Sequence, residues 1–398
     1  MSALLMILLS LGLFMLWTEL RHRLRPHSPL VLRPLSAEVV GGERNLDLTV
    51  KFAIHNHHRR MEVMIPELWV KPTLLSDSRI NRVKLRTSIR SNHPDEPARD
   101  DGYWPAYIVR GGQSTEIEVF IWLWTDSHQY PYQDIDGIWL DLHWVNYGPF
   151  GRLVKRDGVV VPLRYPDLPS NVGTKFRKAA NCRVLPIRTH LLGRFDDPLS
   201  MLKHYAGNLI QPGDILTIGE TPLAVMQGRY QHPAEIEPSC EARLLCRVFH
   251  PTSSLATACG LQALINIEGP SRILVAWVGG FLLRLAGVRG GFYRLAGSQA
   301  RLIDDVTGTI PPYDQTIVLG PSNTEEFCQR ASSELGAYIA VADVNELGGV
   351  KLLATSSGCD KVLFCQALQS NPAGNANEQT PLVLVRPEAT DQATKIEL

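Results

Sequence analysis

Two adjacent carboxylates, Asp304 and Asp305, follow a short apolar stretch and precede Thr307, Gly308 and Thr309 within the segment Gln299 to Gly320. A carboxylate pair at a strand end beside small polar residues suits a hard divalent cation. Mg2+ or Mn2+ takes oxygen ligands and keeps positions open for phosphate. The same dipeptide also describes a solvated Asx turn with helix capping and no metal. A third acid, Asp343, closes the apolar run Tyr338 to Ala342. Strand ends in open α/β sheets are where ligands are presented; the plainer role of Asp343 is to cap the turn into Val344, Asn345 and Glu346. A second candidate for phosphate is Arg289-Gly290-Gly291 with Arg294 and Gly297. Glycines let backbone amides approach phosphate and arginine forks onto it, although turn chemistry plus surface charge accounts for the same residues.

The elements that must position these groups are read from periodicity. Thr316 to Leu319 is a strand, Ser322-Asn323-Thr324-Glu325 reads as a capping box, and Phe327, Ala331 and Leu335 mark one face of the helix that follows. Upstream, Val184 to Leu192 opens with a strand, and Asp197-Pro198 starts a helix with Leu199, Leu202, Tyr205, Ala206 and Leu209 on one face. Gly213-Asp214 turns into the strand Ile215 to Gly219, and Glu241 to Phe249 reads as a helix that buries Leu244, Leu245 and Val248. Ile273 to Val288 is too short to span a bilayer, carries Arg284 and has Gly279-Gly280 at its centre, so it reads as a core segment. Strands alternating with helices make this half a mixed α/β domain.

The first half is different. Met1 to Trp17 is apolar and is followed by Arg21, Arg23 and Arg25. That pattern predicts a transmembrane anchor, single-pass, placing the protein in the membrane with its globular body cytoplasmic. From residue 35 to 166 the period is two: Leu46, Leu48, Val50, Phe52 and Ile54 alternate with polar residues, and similar strands lie at Val63 to Leu75, Ile117 to Trp124 and Ile138 to Val145. Turns separate them and no amphipathic helix intervenes, which predicts an antiparallel, immunoglobulin-like β-sandwich with Trp69, Trp122, Trp139 and Trp144 in its core or on its faces. His55, His57 and His58 end a strand without a matching Cys or carboxylate pattern, so a turn accounts for them better than zinc. Aromatic and basic residues between Trp122 and Tyr132 read as sheet packing before a stacking platform. The fold class is thus α+β in three parts: anchor 1–17, sandwich 35–166 and mixed domain 181–387.

Acids and bases number 40 each among 398 residues, so no excess of positive charge marks a nucleic-acid partner. Seven cysteines without a C-x-x-C pattern argue for reduced thiols rather than a disulfide framework.

The second half resembles the coenzyme F420-0:L-glutamate ligase family, also called F420-0 gamma-glutamyl ligase. The resemblance rests on VLPIRTHLL from Val184 to Leu192, Asp196-Asp197, Pro212-Gly213-Asp214, ILTIGE from Ile215 to Glu220, and Gly228-Arg229. It implies amide bond formation between a small-molecule carboxylate and L-glutamate, with GTP as cosubstrate and Mg2+ or Mn2+ as cofactor. It also implies metal ligation by Asp304, with Asp305 as the register alternative, and by Asp343; Arg289 and Arg294 are phosphate contacts in that scheme, and a homodimer is an open assembly. Three departures stand out: Gly219-Glu220-Thr221 where the family has Ser-Glu-Lys, Gln227 where an acid precedes Gly-Arg, and a metal segment in which only Ile303-Asp304 is kept. A non-catalytic tethered binding or scaffold protein on the same fold is the competing expectation.

Overall fold

The computed structural model describes residues 2–23, 29–41, 45–76, 83–125, 134–168, 176–306, 309–344, 349–374 and 378–388. Thr307, Gly308, Asn345, Glu346, Arg25 and most of the aromatic stretch 126–133 named above lie outside the described residues. The chain forms two compact units: unit 1 holds residues 1–71, 85–123 and 142–156, and unit 2 holds 72–84, 124–141 and 157–398.

A helix, α1 (Ser2–Arg23), opens unit 1. Its described side chains from Leu5 to Trp17 are exposed. No helix among the described residues is long and apolar enough to cross a membrane. This overturns the transmembrane anchor at 1–17, and with it the membrane as partner and the membrane localisation with a cytoplasmic body. The physical reason is length: the uncharged run Met1 to Trp17, interrupted by Ser2, Ser10 and Gly12, rises ~25 Å against a hydrocarbon core of ~30 Å, and Glu19 lies two residues beyond it.

Nine strands follow: β1 (Leu30–Gly41), β2 (Asn45–Asn56), β3 (Val63–Ile65), β4 (Leu68–Leu75), β5 (Val83–Asn92), β6 (Tyr107–Val109), β7 (Ser114–Thr125), β8 (Gly137–Gly148) and β9 (Gly151–Pro162). One sheet has the order β1-β2-β7-β5 and the other β4-β8-β3-β6, with β9 paired to β8. The two-residue period is realised: Leu48, Val50, Phe52 and Ile54 on β2 and Ile117, Val119, Ile121 and Leu123 on β7 are at most 1% exposed while their neighbours face outward. Trp144 joins the core, whereas Trp69 is exposed and stacks on His143. β1, β5 and β9 escape the sequence reading because their burial patterns are irregular.

Residues 176–388 build a six-stranded sheet from β10 (Arg177–Ala179), β11 (Cys182–Ile187), β12 (Ile215–Gly219), β15 (Tyr338–Val344), β16 (Val350–Thr355) and β17 (Leu382–Pro387), in the order β10-β11-β17-β12-β15-β16. A short ladder joins β13 (Tyr230–Gln231) and β14 (Ile317–Val318). Strand residues are apolar on both faces, as expected when helices cover both sides of a sheet. Leu216, Ile218, Ile339, Val341 and Leu384 pack with α2 (Pro198–Ala206) and α8 (Thr324–Leu335). Ile215, Ala340, Ala342, Val383 and Val385 pack with α9 (Lys361–Leu368) on the other face. The last strand, β17, lies inside the sheet, locked by Arg386: its guanidinium donates to both carboxylate oxygens of buried Asp214 at 2.9 and 2.7 Å and to the Leu209 carbonyl at 2.8 Å.

Between β12 and β15 run α3 (Glu220–Met226), α4 (Cys240–Leu245), α5 (Ala258–Glu268), α6 (Pro270–Leu285) and α7 (Gly291–Leu295), the last four around a separate small core that includes Ile303 and Ile317. Three local expectations change here. Helix α4 turns Ala242 and Leu245 inward but leaves Leu244 and Val248 exposed, because it stops after six residues and continues as a 3-10 turn. Helix α6 is core on one face only: Ile273 and Ala276 join the small core and Gly280 lies close against Phe292 of α7, while Leu274, Val275, Phe281, Leu282 and Leu285 are exposed. Helix α8 lacks the capping box, because Asn323 has φ +50° and its side chain makes no cap hydrogen bond. Asp197 does cap α2, accepting from the Ser200 amide.

Candidate functional site

The strand register places the acids. Parallel pairing sets Gly219 of β12 beside Ala342 of β15, so the next residues, Glu220 and Asp343, leave adjacent strands at the same carboxyl edge. Antiparallel pairing then sets Lys351 of β16 opposite Asp343. Asp304 arrives from the other side: its backbone bridges Val318, exchanging N–H···O bonds of 2.9 and 2.8 Å. The Thr221 hydroxyl donates to Asp304 Oδ2 at 3.4 Å. Gly320 keeps this approach close, since a Cβ there would sit 2.4 Å from Leu302 Cβ.

Burial and like charge shape the electrostatics. Glu220 is only 7% exposed, and burial pushes its carboxyl up to about 8, with Lys351 opposing and Asp343 and Asp304 reinforcing the rise. Asp304 is pushed up to about 6 by burial and then by Asp343, against the Thr221 hydrogen bond and Lys351. Lys351 Nζ lies 3.8 Å from Glu220 Oε2 and donates to the Arg301 carbonyl at 2.9 Å. Glu220 Oε2 is buried without a hydrogen-bond partner. An orphaned buried oxygen is costly and calls for a physical explanation.

Of the sequence-derived acids, Asp304 and Asp343 therefore share one neighbourhood and Asp305 does not. Asp305 Oδ2 accepts from the Thr257 hydroxyl at 2.6 Å and its Oδ1 from the Val306 amide at 2.8 Å, the turn role that an Asx residue fills. Arg289 and Arg294 lie exposed on the hairpin formed by α6 and α7. Glu220 and Lys351 are the members of the site that residue patterns missed. Only the register of strands more than a hundred positions apart brings them together.

A ready-made metal centre is corrected: among the described residues, no group of three or more His, Cys, Asp or Glu side chains is arranged to hold a metal ion. In the His55, His57, His58 turn, His55 Nδ1 is 2.8 Å from the Ser114 hydroxyl and its ring meets His57 edge-on. The donor set at the sheet edge is nonetheless all oxygen. It fits an ion of the Mg2+ type, which is bound by one or two carboxylates plus substrate phosphates rather than by an all-protein cage.

Gln227 explains a second departure. Its amide donates to the Ser322 carbonyl at 3.0 Å and accepts from the Ser322 amide at 2.8 Å, clamping the segment that leads into α8. A carboxylate in that place lacks the donor.

Residues 33–165, about a third of the chain, match the family model described as F420-0:gamma-glutamyl ligase, N-terminal Ig-like domain. This β-rich third of the chain is therefore similar to the Ig-like domain found at the N-terminus of that ligase. The match covers the Ig-like part alone. No curated protein matches the chain. Among solved structures, the GAE domain of GGA2p from Saccharomyces cerevisiae aligns at 9% identity and TM-score 0.20, covering 35% of this chain and 95% of that one. The FixG-related protein from Vibrio parahaemolyticus aligns at 9% identity and TM-score 0.18 over 34% of this chain and 97% of that one. The CupB6 tip adhesin from Pseudomonas aeruginosa reaches 11% identity and TM-score 0.21 over 38% and 59%. These scores are too low to bear on fold or function.

Proposed function

We propose that the chain is an F420-0 gamma-glutamyl ligase-like enzyme that joins L-glutamate through its amine to a small-molecule carboxylate at the expense of GTP. The observation that carries this reading is the convergence of Glu220, Asp304, Asp343 and Lys351 at the carboxyl edge of parallel strands β12 and β15. The match of residues 33–165 to the Ig-like domain of such a ligase supports it independently.

In this reaction an oxygen of the acceptor carboxylate attacks the γ-phosphorus and GDP leaves. The glutamate amine then attacks the acyl carbon, the bond to phosphate breaks, and the amine loses a proton. A divalent ion bound with the nucleotide supplies charge neutralisation on the transferred phosphoryl group. The chain's own part is to hold and orient. Asp304 and Asp343 would hold the ion, and the Thr221 hydroxyl approaches Asp304 Oδ2 at 3.4 Å. Asp305, engaged by Thr257, stays out of the reaction. Arg289 and Arg294, exposed beside glycines, remain candidates for outer phosphate contacts.

The test is phosphate release by the purified chain with GTP, MnCl2, L-glutamate and the F420-0 acceptor. Release that requires both glutamate and acceptor, and is lost in Asp304→Asn, supports the ligase. Metal-independent or absent nucleotide binding by folded protein instead favours the binding or scaffold protein.

A further inference from the structure

We propose that Lys351 is the anion-contacting residue of this site: it serves as countercharge to the carboxylates while no divalent ion is bound, and turns to phosphate oxygens when an ion and a polyphosphate enter together. The inference rests on the ligase reading for its setting and on three observations for its content.

First, Lys351 is only partly committed. An ammonium carries three donors. Among the described residues one is used, on the Arg301 carbonyl at 2.9 Å. The approach to Glu220 Oε2, at 3.8 Å, is an ion pair too long to be a hydrogen bond. Second, the partner is also incomplete. Glu220 is more than nine-tenths buried, and its Oε2 faces Lys351 with no hydrogen bond from any described group. A lysine selected to neutralise Glu220 alone would close that gap. Third, the two side chains differ in access: Lys351 keeps 38% of its side chain exposed and Glu220 8%. The lysine therefore has room to swing on its four-carbon stem toward solvent and the open side of Asp343, while Glu220 stays fixed.

The charge arithmetic gives this arrangement a consequence. An ammonium beside Asp343 and Asp304 offsets part of the pull that their carboxylates exert on a bare divalent ion, and adds to the attraction for one that arrives wrapped in phosphate. Removing the charge must then move the two affinities in opposite directions. A lysine that only props the strand would move neither, or both together.

Calorimetry on the purified full chain uses three probes: MnCl2 alone, sodium tripolyphosphate with MnCl2, and GTP with MnCl2. For Lys351→Met we expect Mn2+ alone to bind more tightly, on the order of fivefold, and tripolyphosphate with Mn2+ to bind more weakly, about tenfold. Lys351→Arg should retain most of the tripolyphosphate affinity. Circular dichroism confirms that each variant is folded. If Lys351→Met matches the wild type with both Mn2+ and tripolyphosphate, or shifts both the same way, the lysine assignment is overturned. Wild-type protein that takes up no tripolyphosphate with Mn2+ overturns it as well. Tripolyphosphate binding with the opposed shifts, but no GTP binding, keeps Lys351 and sinks the ligase reading.

Discussion

Glu220 is held in a state its type does not prefer. Burial raises its carboxyl to about 8, from an ordinary value of 4.5. Because the folded form holds its proton more tightly than the unfolded form, its stabilisation is complete below pH 4.5 and is lost as pH rises through about 8. Asp304, at about 6, acts in the same direction over a lower range. Thermal melts without metal should therefore show Tm falling between pH 5 and pH 8, and Glu220→Gln should flatten that fall. A slope unchanged in Glu220→Gln removes Glu220 from the balance. Asp304 and Asp343 were readable as candidate ligands because acids at strand ends are informative by type and position. Glu220 was readable only as the glutamate kept in the ILTIGE segment, without a role at the site, and Lys351 not at all, since a lysine on an edge strand is the commonest of surface features.

At the scale of elements, β17 is the decisive case. The apolar run Leu382 to Val385 opens this strand, which occupies the middle of the sheet between β11 and β12. Nothing local to four apolar residues distinguishes a central strand from an edge strand. The signal lies in Asp214 and Arg386, 172 positions apart, whose pairing is invisible before folding. Asp214→Ala would leave a largely buried guanidinium uncompensated, and should cost about 3 kcal/mol or more in denaturant unfolding; a loss under 1 kcal/mol would place the locking of β17 elsewhere. The α8 entrance offers a milder test. Gln227→Glu removes the donor to Ser322 and should destabilise by about 1 kcal/mol, with no change expected in Gln227→Glu if Ser322 is held by other contacts. Helix α6 shows the converse limit: an apolar run with central glycines reads as core, but the glycines serve close approach to Phe292 and Leu295, and of the large side chains Leu274, Val275, Phe281, Leu282 and Leu285 stay exposed.

For the whole molecule, the two-residue and 3.6-residue periods distinguish a β-rich stretch from a mixed one, because periodicity is a property of long segments. They could not indicate which pieces pack as one body. Unit 2 contains residues 72–84, 124–141 and 157–166 beside the mixed domain. Within it Tyr230 donates to the Gly158 carbonyl at 2.7 Å, Arg194 pairs with Asp157 at 2.6 Å, and Trp139 meets Tyr313 edge-on. A fragment beginning at residue 176 loses these partners, so it should melt earlier and less cooperatively than the full chain. Equal Tm and equal cooperativity would make residues 176–388 self-sufficient.

The central claim is that Asp304, Asp343 and their neighbours form one site for a metal-bound nucleotide. The most direct measurement is isothermal titration of the full chain with GTP, with and without MnCl2, for wild type, Asp343→Asn and Asp305→Asn. The account predicts affinity that depends on Mn2+, weakens by about tenfold in Asp343→Asn, and is unchanged in Asp305→Asn, whose carboxylate is engaged by Thr257. Mn2+-independent binding, or a loss in Asp305→Asn that equals the loss in Asp343→Asn, would contradict it.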